Sequence, residues 1–155
     1  YTPKELLQKD IPEDKKNDLD YYVDLLDWEL NVDPEFFEHR HMVPKAVKPL
    51  YAMRAEGYEE YDVVYKADAF SAKELTILPG RSALIKDDGP YGAIVIQGHG
   101  KFGKLDIESP ALIRFGQMTH DEVFVTAQAA QEGVLITNTS LTDELVMLKH
   151  FGPKV

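Results

Sequence analysis

The densest acid–base cluster in the chain is His120-Asp121-Glu122. On a strand, His120 and Glu122 share a face and Asp121 points away. An imidazole beside a carboxylate can act as a base with its orienter, and the carboxylate raises the imidazole pKa. The plain alternative is a polar strand entry at the rim of a barrel. His99 lies between Gly98 and Gly100, where it is either a surface-turn residue or an imidazole at a barrel mouth. Together these groups suit general acid–base work, with the carboxylate or the imidazole as base.

Three further residues are candidates for ligand contact. Gln97 follows the apolar run Ala93 to Ile96 and shares a face with Val95 if the strand alternates regularly. Lys86 is one of the scattered cations of this region. Arg114 sits inside the apolar segment Ala111 to Phe115, where a guanidinium would suit a phosphate or carboxylate, or a partly buried ion pair. His39 and His41 form a His-Arg-His pair. On a strand both imidazoles would face one side, and His99 or His120 could complete a metal site in space. On a helix they would diverge. The alternative is histidines that face solvent or bond locally. His150 near the end reads as structural. There is no cysteine, no phosphate-binding glycine loop, no dinucleotide fingerprint and no Gly-x-Ser-x-Gly elbow.

The elements that must position these groups differ between the two parts of the chain. From Lys73 to Gly100 short apolar runs alternate with breakers: Pro79-Gly80, Asp87-Asp88-Gly89-Pro90 and Gly98-His99-Gly100. Turn signals at this spacing predict an all-β sandwich or barrel. The rhythm predicts strands over 61–66, 73–78, 82–85, 92–97, 101–107, 111–115, 122–126, 133–137 and 144–149, with one helical turn at Ala127 to Glu132. Gly98-His99-Gly100 reads as a tight turn.

The N-terminal part reads as helical. Asn17 or Asp18 can cap an amphipathic helix over 18–30, with Leu19, Tyr22, Val23, Leu26 and Leu30 on one face and Asp20, Asp24 and Asp27 opposite. Asp33-Pro34 opens a second, brief helix. Residues 42–57 read as an irregular arm. The expected division is a helical segment and arm over 1–57 and a barrel over 58–155.

The formal net charge is -10, and residues 1–70 hold 17 acidic against 9 basic side chains. Such a balance argues against nucleic acid and anionic membranes as partners. No apolar run is long enough to cross a bilayer. With no leader pattern and no cysteine, the expected location is the cytoplasm.

Over about 72–150 the chain resembles the cupin superfamily of small jelly-roll barrels. Pro79-Gly80, a strand and Gly98-x-Gly100 follow the spacing of the first cupin motif. Asp121 to Val125, Gly133-Val134 and Asn138-Thr139-Ser140 resemble the second. The wider sequence is similar to cupin domains of the mannose-6-phosphate isomerase type. The resemblance implies an all-β, cupin-type jelly-roll barrel preceded by one or two α-helices. Typical cupins carry two His and a Glu in the first motif and a third His in the second, all on one metal. Here Leu84 to Tyr91 holds no His or Glu, and Val134 stands four residues before Asn138. The expectation is therefore no metal and no other cofactor.

Two functions follow. One is a sugar or sugar-phosphate isomerase, with His120, Glu122 and His99 catalytic and Gln97, Lys86 and Arg114 binding substrate. The other is a non-catalytic cupin, a sugar-binding regulatory module or a structural dimerisation module. Either would take a small polar or sugar ligand and form a homodimer, since sheet edges and an apolar helix face need cover.

Overall fold

A computed structural model describes residues 8–112 and 115–153, which fall into two compact units that divide between His41 and Met42. In the first unit a 3-10 turn at Glu13–Lys15 precedes three short helices, α1 (Leu19–Asp24), α2 (Trp28–Asn31) and α3 (Phe36–Arg40). The single helix expected over 18–30 is two helices. Asp18 caps α1 by accepting from the Tyr21 N–H at 3.1 Å, and Asp27 caps α2 by accepting from the Leu30 N–H at 3.0 Å. A carboxylate that binds the backbone two or three residues ahead competes with continuation of the helix it follows. Asp27 therefore restarts the helix instead of sitting on its polar face. None of these helices buries a residue.

The second unit contains β1 (Lys45–Ala46), α4 (Leu50–Glu56), β2 (Tyr58–Val64), β3 (Ser71–Ile77), β4 (Ser82–Ile85), β5 (Tyr91–Phe102) and β6 (Leu105–Ser109). It continues with β7 (Glu122–Val125), α5 (Ala127–Glu132), β8 (Val134–Asn138) and β9 (Leu145–Phe151). All pairings are antiparallel, in the order β1-β2-β3-β9-β5-β8-β4, with β6 and β7 also on β5. This is a jelly-roll-like architecture, an antiparallel sheet curled into a half-barrel with helices ahead of the strands. The stretch read as an irregular arm contains α4, which starts after Pro49 and stops at Gly57 with φ +92°. Proline before the first turn and a left-handed glycine after the last are ordinary helix punctuation. No strand forms at residues 111, 112 and 115 of the expected 111–115 strand, and the other two lie outside the described residues.

β5 is the organising strand, and it corrects the expected turn at Gly98-His99-Gly100. The strand runs unbroken through these residues, with Gly98 opposite Ser109, His99 opposite Glu108 and Gly100 opposite Ile107. Its first half pairs with β7 and β9, and its second half with β6 and β8. The glycines serve close approach. A Cβ on Gly98 would stand 2.5 Å from the Glu144 carbonyl oxygen, and one on Gly100 would overlap the Thr137 carbonyl. The reversal itself lies at Gly103-Lys104.

Strand alternation sends Leu75, Ile77, Leu145, Met147 and Val95 into the interior, against Ala83, Ile85, Ile136, Phe102 and Ile107. Apart from Ala83, each such side chain contributes about 1.5–3 kcal/mol on burial. The other end of the interior is ionic. Buried ion pairs roughly break even against apolar replacements, so the apolar end supplies the net stability.

Candidate functional site

The buried ionic group lies where β2, β3 and β9 meet the loop after β4. Lys149 is fully buried, and its Nζ is 2.6 Å from Asp87 Oδ2 and 2.5 Å from Glu60 Oε1. The contact with Asp87 is a hydrogen bond, and that with Glu60 is an ion pair. Lys73 Nζ donates to Asp87 Oδ1 at 2.8 Å. Register explains the convergence, since Lys73 and Lys149 are directly opposed on β3 and β9. Burial alone would lower the Lys73 pKa, but its hydrogen bond to Asp87 and the charges of Glu60, Asp87 and Asp62 hold it above the ordinary value. The Lys149 ammonium also stands 5.0 Å from the centre of the Tyr91 ring. The Tyr91 hydroxyl is buried without a hydrogen-bond partner among the described residues. Burial, then the Asp87 and Glu60 charges, push its pKa well above the usual phenol range.

Two ammonium groups and two carboxylates leave this group neutral. Its residues do not fit the metal that a cupin barrel would suggest. An ammonium fills the space between Asp87 and Glu60. Among the described residues no three His, Cys, Asp or Glu side chains are gathered to hold an ion. Sequence reasoning missed this group because Glu60, Lys73, Asp87 and Lys149 meet only through strand register.

The candidate ligand site is a pocket of about 810 Å³ beside β5, within the size range of ordinary small-molecule sites. Its floor is a three-stranded patch. Gly92 stands opposite Phe124 of β7 and His150 of β9, and the next row is Glu122, Ile94 and Leu148. Lys104, Leu105 and Asp106 of the β5–β6 hairpin form one wall, and Met118, Thr119 and His120 another. The backbone fixes these walls: the Glu108 N–H donates to the His120 carbonyl at 3.0 Å, and the Val95 N–H to the Asp121 carbonyl at 2.7 Å. Asp106 is engaged by Lys101 Nζ at 2.7 Å, and that hydrogen bond and charge lower its pKa.

His120 and Glu122 therefore line one cavity, and His150, read from sequence as structural, joins them. The signal for His150 is Gly92. A Cβ there would overlap Nε2 and Cε1 of the imidazole, so the ring lies across the glycine. His99 is exposed on β5 and does not line this pocket. Gln97 is exposed, because a bulge between Val95 and Gln97 breaks the alternation that would have paired their faces. Lys86 is exposed, with its stem against Gly133. Arg114 lies outside the described residues. His39 and His41 do not converge. His39 Nδ1 is 2.7 Å from Asp33 Oδ2, while His41 follows α3 and stacks on Phe37 with ring centres 4.5 Å apart.

A scan against protein-family models finds no match, and no curated protein is similar to the chain. Solved structures resemble it in shape. A cupin-2 domain protein of Rhodospirillum rubrum is 12% identical over 72% of this chain and 70% of its own, with a TM-score of 0.46. An RmlC-like cupin protein of Ralstonia eutropha is 8% identical over 72% of this chain and 63% of its own, at 0.47. The polyketide cyclase RemF of Streptomyces resistomycificus is 13% identical over 74% of this chain and 69% of its own, at 0.43. Likeness at this level bears on neither activity nor ligand. Among the described residues no helix is long and apolar enough to cross a membrane.

Proposed function

We propose that this protein is a non-catalytic binding module of the cupin type, which takes a small polar ligand such as a sugar in the pocket beside β5. One observation carries the reading: His120, Glu122 and His150 open onto an 810 Å³ pocket, while the charged groups of the barrel interior neutralise one another. Phe124, with most of its ring exposed, offers an apolar face beside these polar groups. An apolar surface with a few convergent polar groups is the usual composition of a site for a small amphipathic molecule. Amide chemical shifts of Ala93, Ile94, Val123 and Phe124 on titration with D-mannose, D-glucose and D-galactose test the proposal. Saturable shifts at these residues are expected. Saturable shifts confined to residues away from the pocket would overturn it.

The shared cavity of His120 and Glu122 favours a second reading, a sugar or sugar-phosphate isomerase with these two as acid and base. Slow interconversion of mannose 6-phosphate and fructose 6-phosphate, lost in Glu122→Gln, would support it. In either case the protein is proposed to be a cytoplasmic homodimer, to be tested by sedimentation equilibrium against the 17.6 kDa monomer.

A further inference from the structure

The row Phe124, Gly92, His150 crosses three neighbouring strands on the pocket side. The middle position has no side chain, and the imidazole of His150 occupies the space a Cβ would take. The phenyl ring of Phe124 is largely exposed at the other end of the row. No hydrogen bond or ion pair joins the His150 ring to another described residue. Neighbouring strands lie about 4.8 Å apart. The imidazole itself covers Gly92, so the open part of this row lies between that ring and Phe124, with an aromatic face on one side and the imidazole on the other. Glu122 is in the next row, beside Ile94. It can accept from a hydroxyl on the same ligand.

We propose that His150 is the specificity-determining residue of the pocket, and that Gly92 is required because it seats the imidazole. The ligand class is a pyranose. Its apolar C–H face rests on Phe124, and ring hydroxyls bond to His150 and Glu122. This deepens the sugar-binding reading and rests on it. His150 selects by hydrogen bonding, and a pocket built to bond a hydroxyl rejects the analogue that lacks it far more strongly than an apolar pocket does. Gly92→Ala leaves the imidazole in the molecule but forces it off the strand. The two residues thus act as a single device.

The experiment titrates D-mannose, D-glucose and D-galactose into the wild type and into Gly92→Ala, His150→Ala and His150→Gln. It follows the pocket amides and the His150 ring C–H resonance, with each variant's folded fraction set by its amide spectrum. The hexose that binds the wild type should shift the His150 ring signal. Its affinity should fall at least tenfold in Gly92→Ala and in His150→Ala, with partial recovery in His150→Gln. Because the clash is absent without the imidazole, Gly92→Ala should cost little more in a His150→Ala background, in both stability and affinity. A hexose that binds the pocket with affinity within twofold in folded Gly92→Ala and His150→Ala overturns this inference and leaves the binding reading standing. No hexose-dependent shift at any pocket residue overturns both.

Discussion

Lys149 and Asp87, 62 positions apart in the chain, meet at 2.6 Å inside the barrel, with Lys149 fully buried. A pair of this kind adds little over an apolar replacement, yet losing one partner strands the other's charge. Lys149→Met and Asp87→Asn should each cost about 3–5 kcal/mol. The double variant should cost clearly less than the two together, because it strands fewer charges. Urea unfolding of the four proteins reads this directly. Additive losses would mean that the two residues do not act as a unit.

The Tyr91 hydroxyl is buried without a partner among the described residues. Removing an unpaired buried polar group loses no hydrogen bond, so Tyr91→Phe should change stability by no more than about 1 kcal/mol at neutral pH, in either direction. Denaturation midpoints at pH 7 check this.

Tyr91 and Lys73 both hold their protons more tightly folded than unfolded. Their contributions are complete below an unfolded pKa of about 10 and are lost as pH rises through the folded values. Stability should therefore fall above about pH 10. Tyr91→Phe removes one of the two groups, so its stability relative to wild type should rise from pH 9 to pH 11. A difference that stays constant over that range would contradict the environment described for Tyr91.

Gly100 passes so close to the Thr137 carbonyl that a Cβ would overlap it. The partner is backbone, which cannot swing aside. Gly100→Ala should cost about 1–3 kcal/mol, towards the upper end of what overpacking costs. Gly116, with nothing near a Cβ but φ +77°, gives a contrast in which only backbone strain operates. Thermal melts of both variants separate the two effects, and equal losses would speak against the close approach.

The barrel was legible because Pro79-Gly80 and Asp87 to Pro90 punctuate short apolar runs at strand spacing. His120 and Glu122 do share a cavity, but not by the strand alternation their spacing suggested: β7 begins only at Glu122, and His120 reaches the pocket from the bend before it. Gly98 and Gly100 misled, since a glycine needed for a turn and one needed for close approach look alike in sequence. The turn reading also hid the full length of β5. His150 was obscure because its partner is the missing side chain of Gly92, known only once β5 and β9 are in register. The same holds for Glu60, Lys73, Asp87 and Lys149, whose charges meet through strand pairing and one loop. The split of the helix at Asp27 was within reach of sequence, because a capping carboxylate three residues before Leu30 is a local signal.

The pocket beside β5 is proposed to bind a sugar without transforming it. One sample tests it: 15N-labelled protein with 13C-labelled mannose 6-phosphate, its protein and sugar spectra recorded together over a day. Expected are saturable shifts at Ala93, Ile94, Val123 and Phe124, no shift at Asp87 or Lys149, and an unchanged sugar spectrum. Growth of fructose 6-phosphate signals at a rate proportional to protein, or shifts centred on Asp87 and Lys149, would contradict it.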